Sequence, residues 1–368
     1  MIPVNRPLIK KIDAKKVYKV VKDNWISSSG PEIKIFENKF SKLIGKKYGS
    51  LVASGTAALE IAVKSLKLKK NDEIIIPNFT IISNALAVFK NNLKIIPIDC
   101  NKETWNMDID LIKKKISKKT KAIIATHIYG YPLEIDKIKK ICNKKNIFLI
   151  EDAAEMLGNK YKNKYCGSFG DISIFSFYAN KTITMGEGGI LTTNSKKFHD
   201  QFQSLKNLCF GKIERYNHDE IGWNYRVTNM QAALGLSQLK RIKSNVKKKK
   251  EIGKIYYSIL SKNKNIFIQK PKLNNLENAY WVVGIIVKNK KMTSKDLRKK
   301  LLKKKIDSRA FFWPIHKQQI FSKLGIKFKG SFKNSEYISK YGLYLPSGVG
   351  TTKKEILYVC KMINEILI

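Results

Sequence analysis

The 368 residues predict an α/β protein: a mostly parallel central sheet with helices on both faces, followed by a smaller C-terminal α/β domain. Three observations predict it. Short apolar runs alternate with amphipathic helical stretches from about residue 48 onward. The runs are nearly continuous in apolar residues, as strands covered on both faces must be. The length exceeds what one small core needs and suits two domains.

The elements follow in order. "YGSLVAS" reads as a strand and "GTAALEIAVKSL" as an amphipathic helix. "DEIIIPNF" is a short apolar strand, "SNALAVFKN" a helix, and "LKIIPIDC" a further strand. "DIDLIKKKIS" is helical, "KAIIATHIYG" a strand, "LEIDKIKKICNKKN" a helix, and "IFLIEDAA" a strand. From about residue 229, "NMQAALGLSQLKRIKSNVKKKKEIGKIYYSILSKN" predicts one long helical stretch that links two domains. We expect a large domain with the N-terminal segment over residues 1–245 and a small one over 246–368. The small one holds a strand in "AYWVVGIIVKN" and helices that open with "TSKD" and "TTKKE", both good N-cap signals. Ligands of such sheets bind beyond the C-terminal ends of the strands. Asp152, directly after "IFLI", lies at such an end.

Composition narrows the classes. An apolar content of 43% supports a full core. No run approaches the roughly eighteen apolar residues of a membrane span. The start, "MIPVNRPLIKKI", lacks a signal-peptide apolar stretch. A cytoplasmic protein without a membrane segment is expected. The formal charge of +43 suggests nucleic acid, but arginine occurs only at positions 6, 215, 226, 241, 298 and 309. Phosphate and base readers favour arginine for its bidentate fork. Lysines spread from end to end read as a solvated surface, one that still draws in anionic ligands such as a nucleotide-linked substrate. Cys100, Cys142, Cys166, Cys209 and Cys360 are odd in number and form no CxxC pair, so free thiols in a reducing compartment are expected. His127, His199, His218 and His316 show no metal-ligand spacing, and no metal is expected.

Three stretches carry chemistry. In "FSFYANKTITMGEGG", Lys181 sits behind an aromatic and β-branched run and ahead of Gly186, Gly188 and Gly189. A desolvated lysine loses its proton more easily and becomes a nucleophile, and glycines permit close backbone approach to a ligand. The same lysine could also end a strand before a flexible turn. In "VASGTAAL", Ser54, Gly55 and Thr56 join a strand end to a helix start, where unpaired N–H groups and the helix dipole hold a phosphate. Read alone, Ser54 is equally an ordinary N-cap, and the spacing is not that of a P-loop. In "LIEDAAEMLG", Asp152 is a strand-end carboxylate that needs a partner, such as a protonated ring nitrogen, or else is a helix N-terminal acid.

Together these stretches resemble the sugar aminotransferases of the DegT/DnrJ/EryC1/StrS family, a branch of the fold-type I, aspartate aminotransferase-like pyridoxal phosphate enzymes. The resemblance runs through "NWISSSGPEIKIFENKF", "ASGTAAL", "EDAAEMLG", "GDISIFSFYANKTITMGEGG", "GWNYRVTNMQAALGLSQL", "FFWPIH" and "YLPSG". It implies pyridoxal 5'-phosphate as cofactor, alternating with pyridoxamine 5'-phosphate. Lys181 would bear the cofactor and move the proton. Asp152 would pair with the ring nitrogen, and Glu155 would lie near the ring's polar edge. Gly55, Thr56 and Ser176 would hold the phosphate, with Asn224 reaching it from the other subunit of a homodimer. Ser28, Asn180, Trp313 and His316 are candidates for the sugar-nucleotide pocket, although Trp313 and His316 also suit plain loop packing. The chain departs from many relatives at Ile81, where an aromatic residue is usual, and at Glu155, where glutamine is.

Within the family, "FSFYANKTIT" followed by "GEGG" most resembles the branch that aminates C4 of a nucleotide-linked 4-keto-6-deoxyhexose. The expected substrates are GDP-4-keto-6-deoxymannose and L-glutamate, with 2-oxoglutarate released. A UDP- or dTDP-linked keto sugar, amination at C3, and a non-catalytic relative that regulates or binds nucleic acid are the competing readings.

Overall fold

The computed structural model describes residues 1–211, 213–289 and 291–368. Helices α1 (Lys11–Lys22) and α2 (Pro31–Ile44) lead into the alternating part of the chain. There follow β1 (Tyr48–Val52), α3 (Gly55–Ser65), β2 (Glu73–Pro77), α4 (Ser83–Phe89) and β3 (Lys94–Ile98). Next come α5 (Ile109–Lys115), β4 (Thr120–Thr126), α6 (Ile135–Lys145) and β5 (Phe148–Asp152). A small hairpin of β6 (Lys160–Tyr161) and β7 (Lys164–Tyr165) precedes β8 (Ile172–Ser176) and β9 (Gly189–Thr193); α7 (Lys196–Leu205) and α8 (Asn229–Leu239) complete this part.

Seven of these strands form one sheet in the order β1-β9-β8-β5-β4-β2-β3. The pairs β2–β3, β2–β4, β4–β5 and β5–β8 are parallel, and β9 alone runs against its neighbours β1 and β8. Apolar runs become buried strands here because successive side chains face opposite layers. In β2, Ile75 enters the layer of α2, α6 and α8, while Ile74 and Ile76 enter the layer of α3, α4 and α7. Each fully buried isoleucine contributes about 1.5–3 kcal/mol of transfer free energy. The arrangement brings the ends of β1, β2, β4, β5 and β8 and the start of β9 to one edge.

The remainder runs α9 (Ile242–Leu260), β10 (Ile266–Ile268), a hairpin of β11 (Lys272–Leu273) and β12 (Leu276–Glu277), and β13 (Val283–Val287). It continues through α10 (Ser294–Lys303), β14 (Arg309–Ala310), a 3₁₀ turn at Ile315–Lys317, α11 (Gln319–Lys323), α12 (Lys333–Tyr341), β15 (Gly342–Leu345) and α13 (Lys353–Ile366). A second, antiparallel sheet has the order β10-β13-β15-β14. Thr293 and Thr352 close capping boxes on α10 and α13. The N-terminus attaches to this side: Ile2 pairs with Ile306, and Arg6 meets Glu355 at 2.8 Å. Between the two sheets lies an aromatic wedge that includes Phe79, Trp105, Tyr129, Trp281 and Phe311.

One expectation changes. The helical stretch from residue 229 is two helices, broken at Lys240 and Arg241. Arg241 takes φ −109° and ψ 10° at the start of α9, and its guanidinium clamps Asp13 of α1 at 2.6 and 3.0 Å. No glycine or proline marks the break; the residue at it is tied to α1 by the ion pair with Asp13. Among the described residues no helix is long and apolar enough to cross a membrane.

Candidate active site

At the edge where β1 ends, Ser54 caps α3 by accepting the Ala57 N–H at 3.1 Å. This leaves the N–H groups of Gly55 and Thr56 without an intrahelical acceptor. The helix start lies tight against the end of β8: a Cβ on Gly55 would come 2.9 Å from the Cβ of Ser176. Only glycine permits this approach, which places two backbone donors beside the Ser176 hydroxyl. Thr56 Oγ1 is held by Ser83 Oγ at 2.8 Å. The set forms a cradle for an anion such as a phosphate.

Asp152, the last residue of β5, is buried. Its Oδ1 accepts the Ala154 N–H at 3.1 Å, and its Oδ2 accepts from Asn84 Nδ2 at 3.3 Å and Thr126 Oγ1 at 3.4 Å. Burial pushes the carboxyl above its ordinary range, and the Ala154 N–H, the charge of Lys181 and Asn84 offset only part of this. A buried carboxylate with neutral hydrogen-bond partners suits a cationic ligand group. Glu155 is also buried, and its Oε2 accepts the Tyr129 N–H at 2.6 Å. Burial pushes this carboxyl up as well, against the pull of Lys181.

Lys181 stands in the connection between β8 and β9. Phe177 N–H bonds Gly188 O at 2.8 Å, Met185 N–H bonds Phe177 O at 2.9 Å, and Gly186 turns with φ +81°. Burial pushes the Lys181 amine below the usual lysine range, while Glu155 and Asp152 pull it back part of the way. Its Nζ lies 3.8 Å from the centre of the Trp281 ring. The residues present fit pyridoxal 5'-phosphate: a cradle of free N–H groups, a buried carboxylate suited to a ring cation, and an amine with a depressed affinity for its proton.

The other predicted residues divide. Asn180 precedes Lys181; its carbonyl accepts from Trp281 Nε1 and Asn5 Nδ2, both at 3.2 Å, and its Oδ1 is buried without a partner among the described residues. His316 is engaged on both ring nitrogens, by Asn78 and by Glu336 at 3.0 Å, and it stacks on Phe332. Asn78 follows β2, so this histidine pins the 311–318 loop to the strand-end edge. Trp313, 56% exposed, uses its indole N–H on Lys317 O. Ser28 is exposed in a turn that Asn229 holds through Trp25 O and Ser27 O. Asn224 is exposed, and its backbone pairs with Asn207.

Four residues at the site escaped the sequence reading. Thr126 ends β4 and Tyr129 follows it, so the rule that singled out the end of β5 could have found them. Asn84 arrives from α4, and Trp281 from just before β13; neither sits in a local pattern that marks it.

The profile of the DegT/DnrJ/EryC1/StrS aminotransferase family matches residues 7–364. The GDP-perosamine synthase of Escherichia coli O157:H7 is 38% identical over 365 residues, covering 99% of this chain and 98% of that protein. The GDP-perosamine synthase of Vibrio cholerae is 34% identical over 367 residues, with 99% of each covered. Among solved structures, the Helicobacter pylori aminotransferase PseC, involved in the biosynthesis of pseudoaminic acid, superposes with a TM-score of 0.93 at 25% identity. That match covers 100% of this chain and 99% of the other. Fold and relatives define a pyridoxal phosphate-dependent transaminase acting on a sugar nucleotide. The chain belongs to the DegT/DnrJ/EryC1/StrS aminotransferase family.

Proposed function

We propose that the enzyme moves an amino group from L-glutamate to C4 of GDP-4-keto-6-deoxymannose, yielding GDP-perosamine and 2-oxoglutarate. The end-to-end match to a GDP-perosamine synthase at 38% identity carries this reading. In it, Gly55, Thr56 and Ser176 hold the phosphate of pyridoxal 5'-phosphate, Asp152 its ring nitrogen, Glu155 its polar edge and Lys181 its aldehyde carbon. Asn224 completes the phosphate site from the second subunit of a homodimer. Ser28, Asn180, Trp313 and His316 serve the sugar-nucleotide side, where the unfilled acceptor on Asn180 suits a substrate donor. The division into a large domain, 1–245, and a small one, 246–368, belongs to the same reading. A reducing, cytoplasmic setting agrees with five cysteines that are all unpaired and buried.

The cofactor, when bound, supplies an electron-withdrawing ring that stabilises charge at the carbon losing its proton. The chain's own residues do the rest. Asp152, kept from water, would favour the protonated state of the cofactor's ring nitrogen. Lys181 Nζ takes the α-proton of L-glutamate in the first half-reaction and delivers a proton to C4 of the sugar in the second. One amine serves both carbons, so no second base is required near the bond. Burial aids the first step because it lowers the cost of the neutral amine.

Lys181→Ala should fold as the parent does and lose at least about a thousandfold in turnover. A variant that processes sugar at the parental rate would end the assignment. Assays with GDP-, UDP- and dTDP-linked 4-keto-6-deoxy sugars, run side by side, test the nucleotide; preference for a UDP or dTDP sugar would refute the GDP reading.

A further inference from the structure

Lys181 Nζ rests 3.8 Å from the centre of an indole that belongs to the other sheet's layer. Trp281 is only 4% exposed. Its N–H donates to the Asn180 carbonyl at 3.2 Å, which fixes the peptide immediately before the lysine. Tyr129 packs against it at 5.9 Å with the ring planes 33° apart, so the indole is held in the aromatic wedge. A cation over an indole face is favoured more as water is kept away, and here a half-buried lysine meets a buried indole. The charged groups that face the amine are Asp152 and Glu155. Tyr129 and Tyr344 stand by Glu155, and Arg309 stands by Tyr344. The carboxylates act through charge alone, whereas the indole provides a directed seat and is tied to the segment that carries the amine.

We propose that Trp281 is a positioning residue for the transamination: its face seats the Lys181 amine whenever that amine is not covalently engaged, and its N–H fixes the peptide bearing it. The inference rests on reading Lys181 as the cofactor-bearing lysine. It gives the second sheet a direct hold on the catalytic side chain, because any shift of β13 moves the seat.

The test uses the full-length enzyme loaded with pyridoxamine 5'-phosphate, in which Lys181 has no covalent partner. Acetylation of Lys181 by acetic anhydride is followed against pH by peptide mass spectrometry. In Trp281→Leu the midpoint should fall by about half a unit to one unit, the loss of a cation–π contact. Trp281→Phe, which keeps an aromatic face, should fall less. The rate of the amino-donor half-reaction in Trp281→Leu should drop about tenfold, while KM for the sugar nucleotide stays within about twofold. An unmoved midpoint in folded Trp281→Leu overturns the proposal. Should that variant not fold, the wild type decides. After reductive methylation with carbon-13 formaldehyde, the Lys181 methyl resonances should lie upfield of those of surface lysines through the indole ring current, and coincidence with them overturns it. Borohydride reduction of the pyridoxal form separates the two readings. A label elsewhere than Lys181 refutes the lysine assignment; a label on Lys181 with an unmoved midpoint refutes only the role of Trp281.

Discussion

At the scale of single residues, one half-buried amine and two buried carboxylates compete for protons in the same corner. Desolvation alone would neutralise all three, and each charge that survives depends on its neighbours. Glu155 and Asp152 both favour the protonated form of Lys181, and Lys181 favours their ionised forms. Glu155→Gln removes one of the two anions that hold the lysine's proton, so the amine should become neutral at lower pH. The acid limb of the L-glutamate half-reaction, followed by cofactor absorbance, should therefore move to lower pH than in the parent. A limb that stays in place would show that the Glu155 charge is not felt at Lys181. Lys181, Asp152 and Gly55 are legible in the sequence because each sits in a short strand-end pattern. Trp281 and Asn84 are not, because only the folded chain brings them alongside.

At the scale of elements, the apolar runs predict the strands of the main sheet, since full burial on both faces leaves little else for such runs to do. The joint between α8 and α9 is hidden: no local signal marks it, and the carboxylate that Arg241 meets there lies more than two hundred residues away. Asp13 of α1 is fully buried. It accepts from Arg241 at 2.6 and 3.0 Å, from Ser237 Oγ at 2.5 Å, from Gln238 Nε2 at 3.0 Å and from the Lys10 N–H at 2.8 Å. Burial by itself would raise this carboxyl, but the bonds from Arg241, Lys10 and Ser237 outweigh it and hold it below the usual range. A folded-state value depressed in this way contributes stability above the unfolded value, near 3.9, and that contribution disappears as pH falls through the folded value. Asp13→Ala should cost about 3 kcal/mol near neutral pH, since it leaves Arg241 without its carboxylate. The deficit relative to the parent should shrink as pH drops below about 4. Thermal melts at several pH values read both effects. A variant as stable as the parent at neutral pH would mean that α1 is held by its apolar face alone.

For the whole molecule, a formal charge of +43 opposes bringing two copies together, although salt screens much of that repulsion. The surface also carries an opposing feature. Ile12, Tyr18, Trp25, Ile26 and Ile35 are exposed along α1, α2 and the turn between them, and Ile213, Tyr216 and Ile221 are exposed in the segment before Asn224. Exposed apolar side chains of this kind are candidates for a protein–protein contact, and in the proposed homodimer they are the ones a second copy would cover. Asn224 lies at the end of that second cluster, exposed in its own chain. If it completes the phosphate site of a partner, the two halves of a catalytic site reside on different chains, and complementation between dead variants follows. A dimer that joins one Lys181→Ala chain to one Asn224→Ala chain contains one site in which both residues are intact and one in which both are lost. Random pairing of equal amounts should restore about a quarter of the parental activity, and the heterodimer isolated through both tags about half. Coexpression with distinct tags, purification through both, and comparison with each variant alone would read this directly. Activity no greater than the sum of the separate variants would place each complete site within a single chain.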